Sequence, residues 1–87
     1  MGKVIHKVKC RTNYYDAIVA GDKKFDVRRD DRGYQKGDIL HLQKYDGDKL
    51  RYVTSSHGEP YSIQKPIKYI LTGGQFGIEP GYVVLGF

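Results

Sequence analysis

The chain has 87 residues, 15 of them Lys or Arg and 10 Asp or Glu, for a formal net charge of +5. That length fits a single domain over residues 1–87, with one small core and one cleft, and excludes a multidomain chain. Cys10 is the only cysteine, which excludes an internal disulfide and a thiolate zinc cluster, and no apolar run approaches the roughly 20 residues that span a membrane.

Val4, His6, Val8 and Cys10 alternate with Ile5, Lys7 and Lys9, which predicts a first strand. Met1-Gly2-Lys3 leads straight into it, so no signal peptide is expected and a reduced cytoplasmic setting is the default. Thr12-Asn13 offers a helix N-cap, with Asp16 in the early position that carboxylates favour. Tyr14, Tyr15, Ile18 and Val19 recur at helical spacing, and Gly21 closes this short helix.

The stretch from Gly21 to Arg32 is unusually charged. Period two predicts a strand from about Lys24 to Arg29, with Phe25 and Val27 anchored in the core. Lys24, Asp26 and Arg28 then form an ionic row on the other face. Such a row suits a polyanion or a polar base and suits an apolar ligand poorly.

Asp30 to Gly33 and Lys36-Gly37-Asp38 read as turns, the second opening a strand through Ile39, Leu40, Leu42 and Tyr45. Asp46-Gly47-Asp48 is a hairpin turn, with Leu50 to Thr54 pairing back. After a polar loop from Ser55 to Pro60, Tyr61 to Leu71 reads as one long strand interrupted at Pro66, hence an edge or a bulge. Thr72 to Gly81 is Gly-rich and reads as a flexible flap, and Tyr82 to Phe87 is the last strand. The fold class expected is mostly β with a short N-terminal helix (α+β), its strands curling into a small barrel that hides their edges.

Gly21, Lys23, Asp26 and Arg28 match the pattern Gly-x-Lys-x-x-acid-x-Arg. With Tyr14 to Ala20 before it, Lys36-Gly37-Asp38-Ile39-Leu40 after it and Gly81-Tyr82-Val83-Val84-Leu85 at the end, the chain resembles the ASCH domain of the PUA-like superfamily. The resemblance implies a small barrel of mixed strands with a cleft beside the helix, lined by Lys23, Asp26 and Arg28. It also implies RNA or a nucleoside-type ligand as the partner. Some ASCH-type proteins are amidohydrolases on an acylated cytidine nucleoside, and ribonuclease activity also occurs among them. Here position 26 is Asp where that motif usually has Glu, and Thr72 to Gly81 carries only Glu79 where the amidohydrolases insert a helical region with a further Glu.

The expected function is therefore RNA or nucleobase-ligand binding in a basic cleft. Lys23, Asp26 and Arg28 form its floor, Arg29, Arg32 and Lys36 a phosphate-contacting rim, and Tyr34 a stacking platform. No cofactor is expected, and His6, His41 and His57 lack metal-ligand spacing. His6 is expected to be a packed, hydrogen-bonded strand residue. Two rival readings remain. In a small hydrolase, Lys23 and Asp26 would be catalytic, with Asp26, Glu79 or His6 as proton acceptor. In a protein-interaction module, the edge near Pro66 or the Gly-rich segment would meet a partner.

Overall fold

The structure, a computed structural model, describes residues 3–87. The leader expectation drawn from Met1 and Gly2 falls outside the described residues. The chain runs β1 (Ile5–Arg11), α1 (Thr12–Val19), β2 (Phe25–Arg29), β3 (Ile39–Asp46), β4 (Arg51–Tyr52), β5 (Ser62–Pro66), β6 (Tyr69–Thr72) and β7 (Tyr82–Gly86). It is mostly β with one short helix. None of its described helical residues forms a helix long and apolar enough to cross a membrane.

The strands form two sheets. In the first, β1 pairs in parallel with β3, whose other edge pairs antiparallel with β5 and then with the short β4. In the second, β7 lies between β2 and β6, antiparallel to both. The strands are mixed, as expected. Among the described residues no ladder joins the sheets, so the expected closure into a barrel is not seen. β1 and β2 stand at neighbouring edges, and a side chain rather than a ladder crosses between them. Arg28 on β2 donates from Nη2 to the Lys9 carbonyl on β1 at 2.6 Å.

The core lies between the sheets. Alternate residues of β1, β3 and β7 turn inward, so Val8 and Cys10 meet Leu40 and Leu42 on one side and Val83 and Leu85 on the other. Tyr15 and Ile18 of α1 cover one part of it, and Ile67 and Tyr34 fill the rest. Five side chains, Ile18, Leu40, Leu42, Ile67 and Leu85, are fully buried. Each is worth roughly 1.5–3 kcal/mol of transfer energy, which makes this small set the main cohesive element.

The helix departs from expectation at its start. It begins at Thr12, and Arg11 holds the cap position with no side-chain hydrogen bond, so Asn13 is not the cap. Asp16 lies beyond the first turn and instead pairs with Lys44 at 2.9 Å on the surface. Tyr14 and Val19 are exposed, so the buried stripe is narrower than the spacing suggested. The helix end follows expectation. Gly21 has φ +84°, its N–H reaches Ile18 O, and the Asp22 N–H reaches Ala17 O. This is the double bond of a left-handed C-cap, which glycine adopts without strain.

Pro66 marks a division rather than an interruption. The stretch expected as one strand is two, with β5 in the first sheet and β6 in the second. Ile67 between them is buried, its N–H bonded to Asp38 O and its O to the Gly37 N–H. The Gly-rich segment is a hydrogen-bonded loop, not an open flap. Gly73 N–H bonds Tyr82 O, Gly74 N–H bonds Ile78 O, and Ile78 N–H bonds Gln75 O.

Candidate functional site

The ionic strand holds the largest correction. Period two groups its residues as expected, but the faces are exchanged. Phe25 and Val27 are 45% and 50% exposed, while Asp26 is 6% exposed and turned toward the interior. Burying a lone carboxylate costs several kcal/mol, so this orientation requires partners. Asp26 has two. Arg28 Nε donates to Asp26 Oδ2, and Lys23 Nζ lies 3.6 Å from Oδ1. Lys23 also donates to Phe25 O at 2.7 Å and stands over the rings of Phe25 and Tyr14. Lys24, expected in the same row, lies ahead of β2 and is exposed.

This network fixes Arg28. Its Nε is held by Asp26 and its Nη2 by Lys9 O, so the guanidinium lies across the seam between the sheets with one Nη group still available. Cys10 lies close to the same charges. Burial, aided by Asp26, pushes its thiol up to about 11, so it stays a protonated and unreactive core residue at neutral pH.

Along the seam runs a groove of about 470 Å³. β1 contributes Lys7, Val8 and Lys9, and β2 contributes Val27, Arg28 and Arg29. Asp31, Arg32 and Tyr34 come from the following loop, Tyr52 from β4 and Tyr82 from β7. The loop is shaped by Asp30, whose Oδ1 accepts the N–H groups of Gly33 and Tyr34, both at 3.1 Å. Among the described residues five cations thus line one depression, with Asp31 as the one carboxylate opposing them. Arg29 lies over the Tyr82 ring at 5.6 Å, and Tyr45 and Tyr52 meet edge to face beside Lys9.

The expected site residues are therefore divided. Arg28, Arg29 and Arg32 come together in the groove. Lys23 and Asp26 line a smaller depression of about 310 Å³ beside the helix, with Tyr14, Phe25 and Val27. Lys36 is exposed on the turn before β3 and is not brought to the groove. Tyr34 is only 5% exposed, its ring edge-on to His6 at 4.7 Å, so it offers no open face for stacking. Burial pushes its phenol up. Glu79 lines a different hollow with Ile78 and Tyr82 and is not gathered with Lys23 and Asp26. Lys7, Lys9, Tyr52 and Tyr82 escaped the sequence reading as site residues. The alternation of Lys7 and Lys9 on β1 was the available signal, but it gains meaning only once β1 is an edge facing β2.

His6 is packed and hydrogen-bonded, as expected. Its Nε2 donates to Asp38 Oδ2 at 2.9 Å, and the N–H groups of Gln35 and Val4 also point to the Asp38 carboxylate. The Lys36-Gly37-Asp38 turn thus ties the start of β3 to β1. These donors hold the Asp38 carboxyl below its ordinary value. Its contribution to stability is then complete above about pH 3.9 and is lost as pH falls through that value toward the lowered one. Urea midpoints measured between pH 6 and pH 3 are expected to fall at the acid end, and Asp38→Asn is expected to flatten that fall. An unchanged slope in Asp38→Asn would assign the acid lability elsewhere.

A two-sheet, mostly β protein with a basic seam is the class these observations define. The chain belongs to the family described as a domain of unknown function, DUF3850, whose sequence profile matches residues 5–87. It is similar to an uncharacterized 12.9 kDa protein of Escherichia phage P2, with 39% identity over 41 residues. That match covers 47% of this chain and 38% of the phage protein, so the chain spans well under half of the relative's length.

Proposed function

We propose that this chain binds single-stranded RNA, or another ligand carrying an unpaired nucleobase, in the groove between β1 and β2. The observation that carries this reading is the gathering of Lys7, Lys9, Arg28, Arg29 and Arg32 around one depression against a single carboxylate. Cations in a concave site focus their field on a polyanion. Tyr52 and Tyr82 add ring surface on which bases can stack. Arg28, locked by Asp26 and Lys9, is the pre-organised donor for a phosphate or a base carbonyl. Binding is favoured over hydrolysis because Lys23 and Asp26 already engage one another, Arg28 and Phe25 O. The finer fold, a PUA-like barrel of the ASCH type opened at the β1–β2 seam, belongs to the same proposal, as does a cytoplasmic setting.

The test is fluorescence anisotropy with a short single-stranded RNA, the matching DNA and duplex RNA at several salt concentrations. Single-stranded RNA is expected to bind, and to weaken steeply with salt. Lys7→Ala/Arg32→Ala is expected to lower affinity about tenfold and to flatten the logarithmic salt slope by about 1.4, two phosphate contacts on a single strand. Affinity that is unchanged in this double variant, or no binding to any of the three at low salt, overturns the reading.

A further inference from the structure

The groove does not end at β2. Val27 and Tyr82, which line it, also line a second hollow of about 330 Å³, together with Gly77, Ile78 and Glu79 of the loop before β7. The β2–β7 ladder pairs Arg29 with Tyr82 and Val27 with Val84, so Val27, Arg29 and Tyr82 share one face of the second sheet. A ligand lying in the groove therefore meets the hollow at a common wall. The volume is at the low end of the range of roughly 300–1,000 Å³ in which small ligands bind, which suits a single base.

The loop side of the hollow is built before anything binds. Phe76 and Gly77 have φ of 53° and 77°, and the Ile78 N–H bonds Gln75 O at 3.0 Å, as in the tight turns with two left-handed central residues. Gln75 Nε2 donates to Thr72 O at 2.8 Å, and the Gly74 N–H bonds Ile78 O at 2.7 Å. The Glu79 carbonyl accepts the Tyr82 N–H at 3.1 Å, which fixes the backbone that carries the acid.

Val27 and Ile78 give the hollow apolar walls, Tyr82 gives it a ring, and Glu79 is the one charged residue lining it. Among the described residues the Glu79 carboxylate makes no salt bridge. Its charge nevertheless reaches Arg29, whose guanidinium is held above its ordinary value first by the Tyr82 side chain and further by the Asp31 and Glu79 carboxylates. The carboxylate thus lies within electrostatic reach of the groove. A carboxylate has two acceptor oxygens and no donor, so its best partner is a pair of neighbouring N–H groups. Guanine presents such a pair as N1–H and N2–H. Adenine and cytosine set an acceptor ring nitrogen beside their amino group, and uracil has one N–H between two carbonyls. Each of these three brings a lone pair against the carboxylate.

We infer that this hollow selects guanine, a base turned out of the strand in the groove standing against Val27 and Tyr82 with its N1–H and N2–H donating to Glu79. Selection within a strand rests on the groove being the strand's path, to which it adds a preference for one base.

Fluorescence anisotropy on octanucleotide RNAs tests this, the strands being all uridine or uridine with one central G, A or C. The strand with G is expected to bind about tenfold tighter than the others, within the range for one bidentate base contact. Glu79→Gln presents one donor and one acceptor, the match for adenine, so the preference is expected to move from G to A. Affinity for the all-uridine strand is expected to stay within about twofold, since the phosphate contacts are untouched. The Glu79 side chain is exposed, so this variant is expected to melt like the parent. Lys7→Ala/Arg32→Ala is expected to weaken all four strands alike and to keep the preference for G. The isotope-labelled protein is also titrated, under NMR observation, with the four nucleoside 5′-monophosphates. Only the guanosine nucleotide is expected to shift the amides of Gly77, Ile78 and Glu79 at millimolar concentration. Equal binding of the four strands overturns the guanine assignment and leaves the groove reading standing. A preference for G that survives in Glu79→Gln, or no shift at those amides with the guanosine nucleotide, also overturns it. If no strand binds while those shifts are present, the groove reading falls and the hollow stands as a guanine site.

Discussion

Asp26→Ala is expected to lower the stability of the fold by about 3 kcal/mol, the low end for breaking a buried ion pair. For a domain of this size that is a fall of about 15 °C in thermal midpoint. The cause is not loss of attraction alone. Removing the carboxylate leaves the Arg28 guanidinium, whose side chain is 20% exposed, and Lys23 without their shared acceptor. A buried charge that loses its partner costs more than the pair contributed. Asp26→Leu/Arg28→Met is therefore expected to recover much of the loss, because it removes the donor and acceptor together. Thermal and urea melts of the two variants check this. A loss below about 1 kcal/mol in Asp26→Ala would mean that water reaches the pair and that it is only a surface contact.

Gly73→Ala is expected to be as damaging, for a steric reason. A Cβ at position 73 would lie 1.9 Å from Glu79 O and 2.7 Å from Tyr82 O. Both are backbone atoms, one in the loop that returns the chain to β7 and one at the first residue of β7, so no side-chain rotation relieves the overlap. The loop has to open, and the bonds from Gly73 and Gly74 that close it are lost with it. The expected cost is about 3 kcal/mol, the upper end for overpacking. Gly77→Ala, where a Cβ meets nothing within 4 Å but the backbone has φ +77°, is expected to cost only about 1 kcal/mol. Equal stability of the two variants would show that the loop yields easily.

The pattern of residues specified local structure better than it specified direction. Period two placed Asp26 and Arg28 on one face of a strand, and they are there. Which face turns inward depends on tertiary partners. Phe25 and Val27 would normally win the interior, and they lose it because Asp26 is neutralised from both sides and Arg28 reaches a carbonyl of β1. No local pattern contains the Arg28–Lys9 contact. The helix C-cap was legible because Gly21 meets a backbone requirement within four residues. The N-cap was not, because packing of Tyr15 and Ile18 starts the helix at Thr12 without a side-chain cap. The gathering of Arg28, Arg29 and Arg32 followed from their closeness in sequence. Lys7 and Lys9 joined them only through the placing of two sheet edges. Tyr34 was misread for a similar reason, since its turn is charged but its ring is drawn into the core beside His6.

The pairing of β2 with β7 also bears on how the chain is made. Phe25 finds its ladder partner in Gly86 and Arg29 finds its own in Tyr82, so an early strand waits for a late one. During synthesis the first sheet can assemble from β1, β3 and β5 while β2 has emerged but has nothing to pair with. In that interval Phe25 and Val27 hang on an unpaired strand, the kind of segment that draws neighbouring chains together. Its charged companions Lys23, Lys24, Arg28 and Arg29 then act as gatekeepers that keep nascent chains apart.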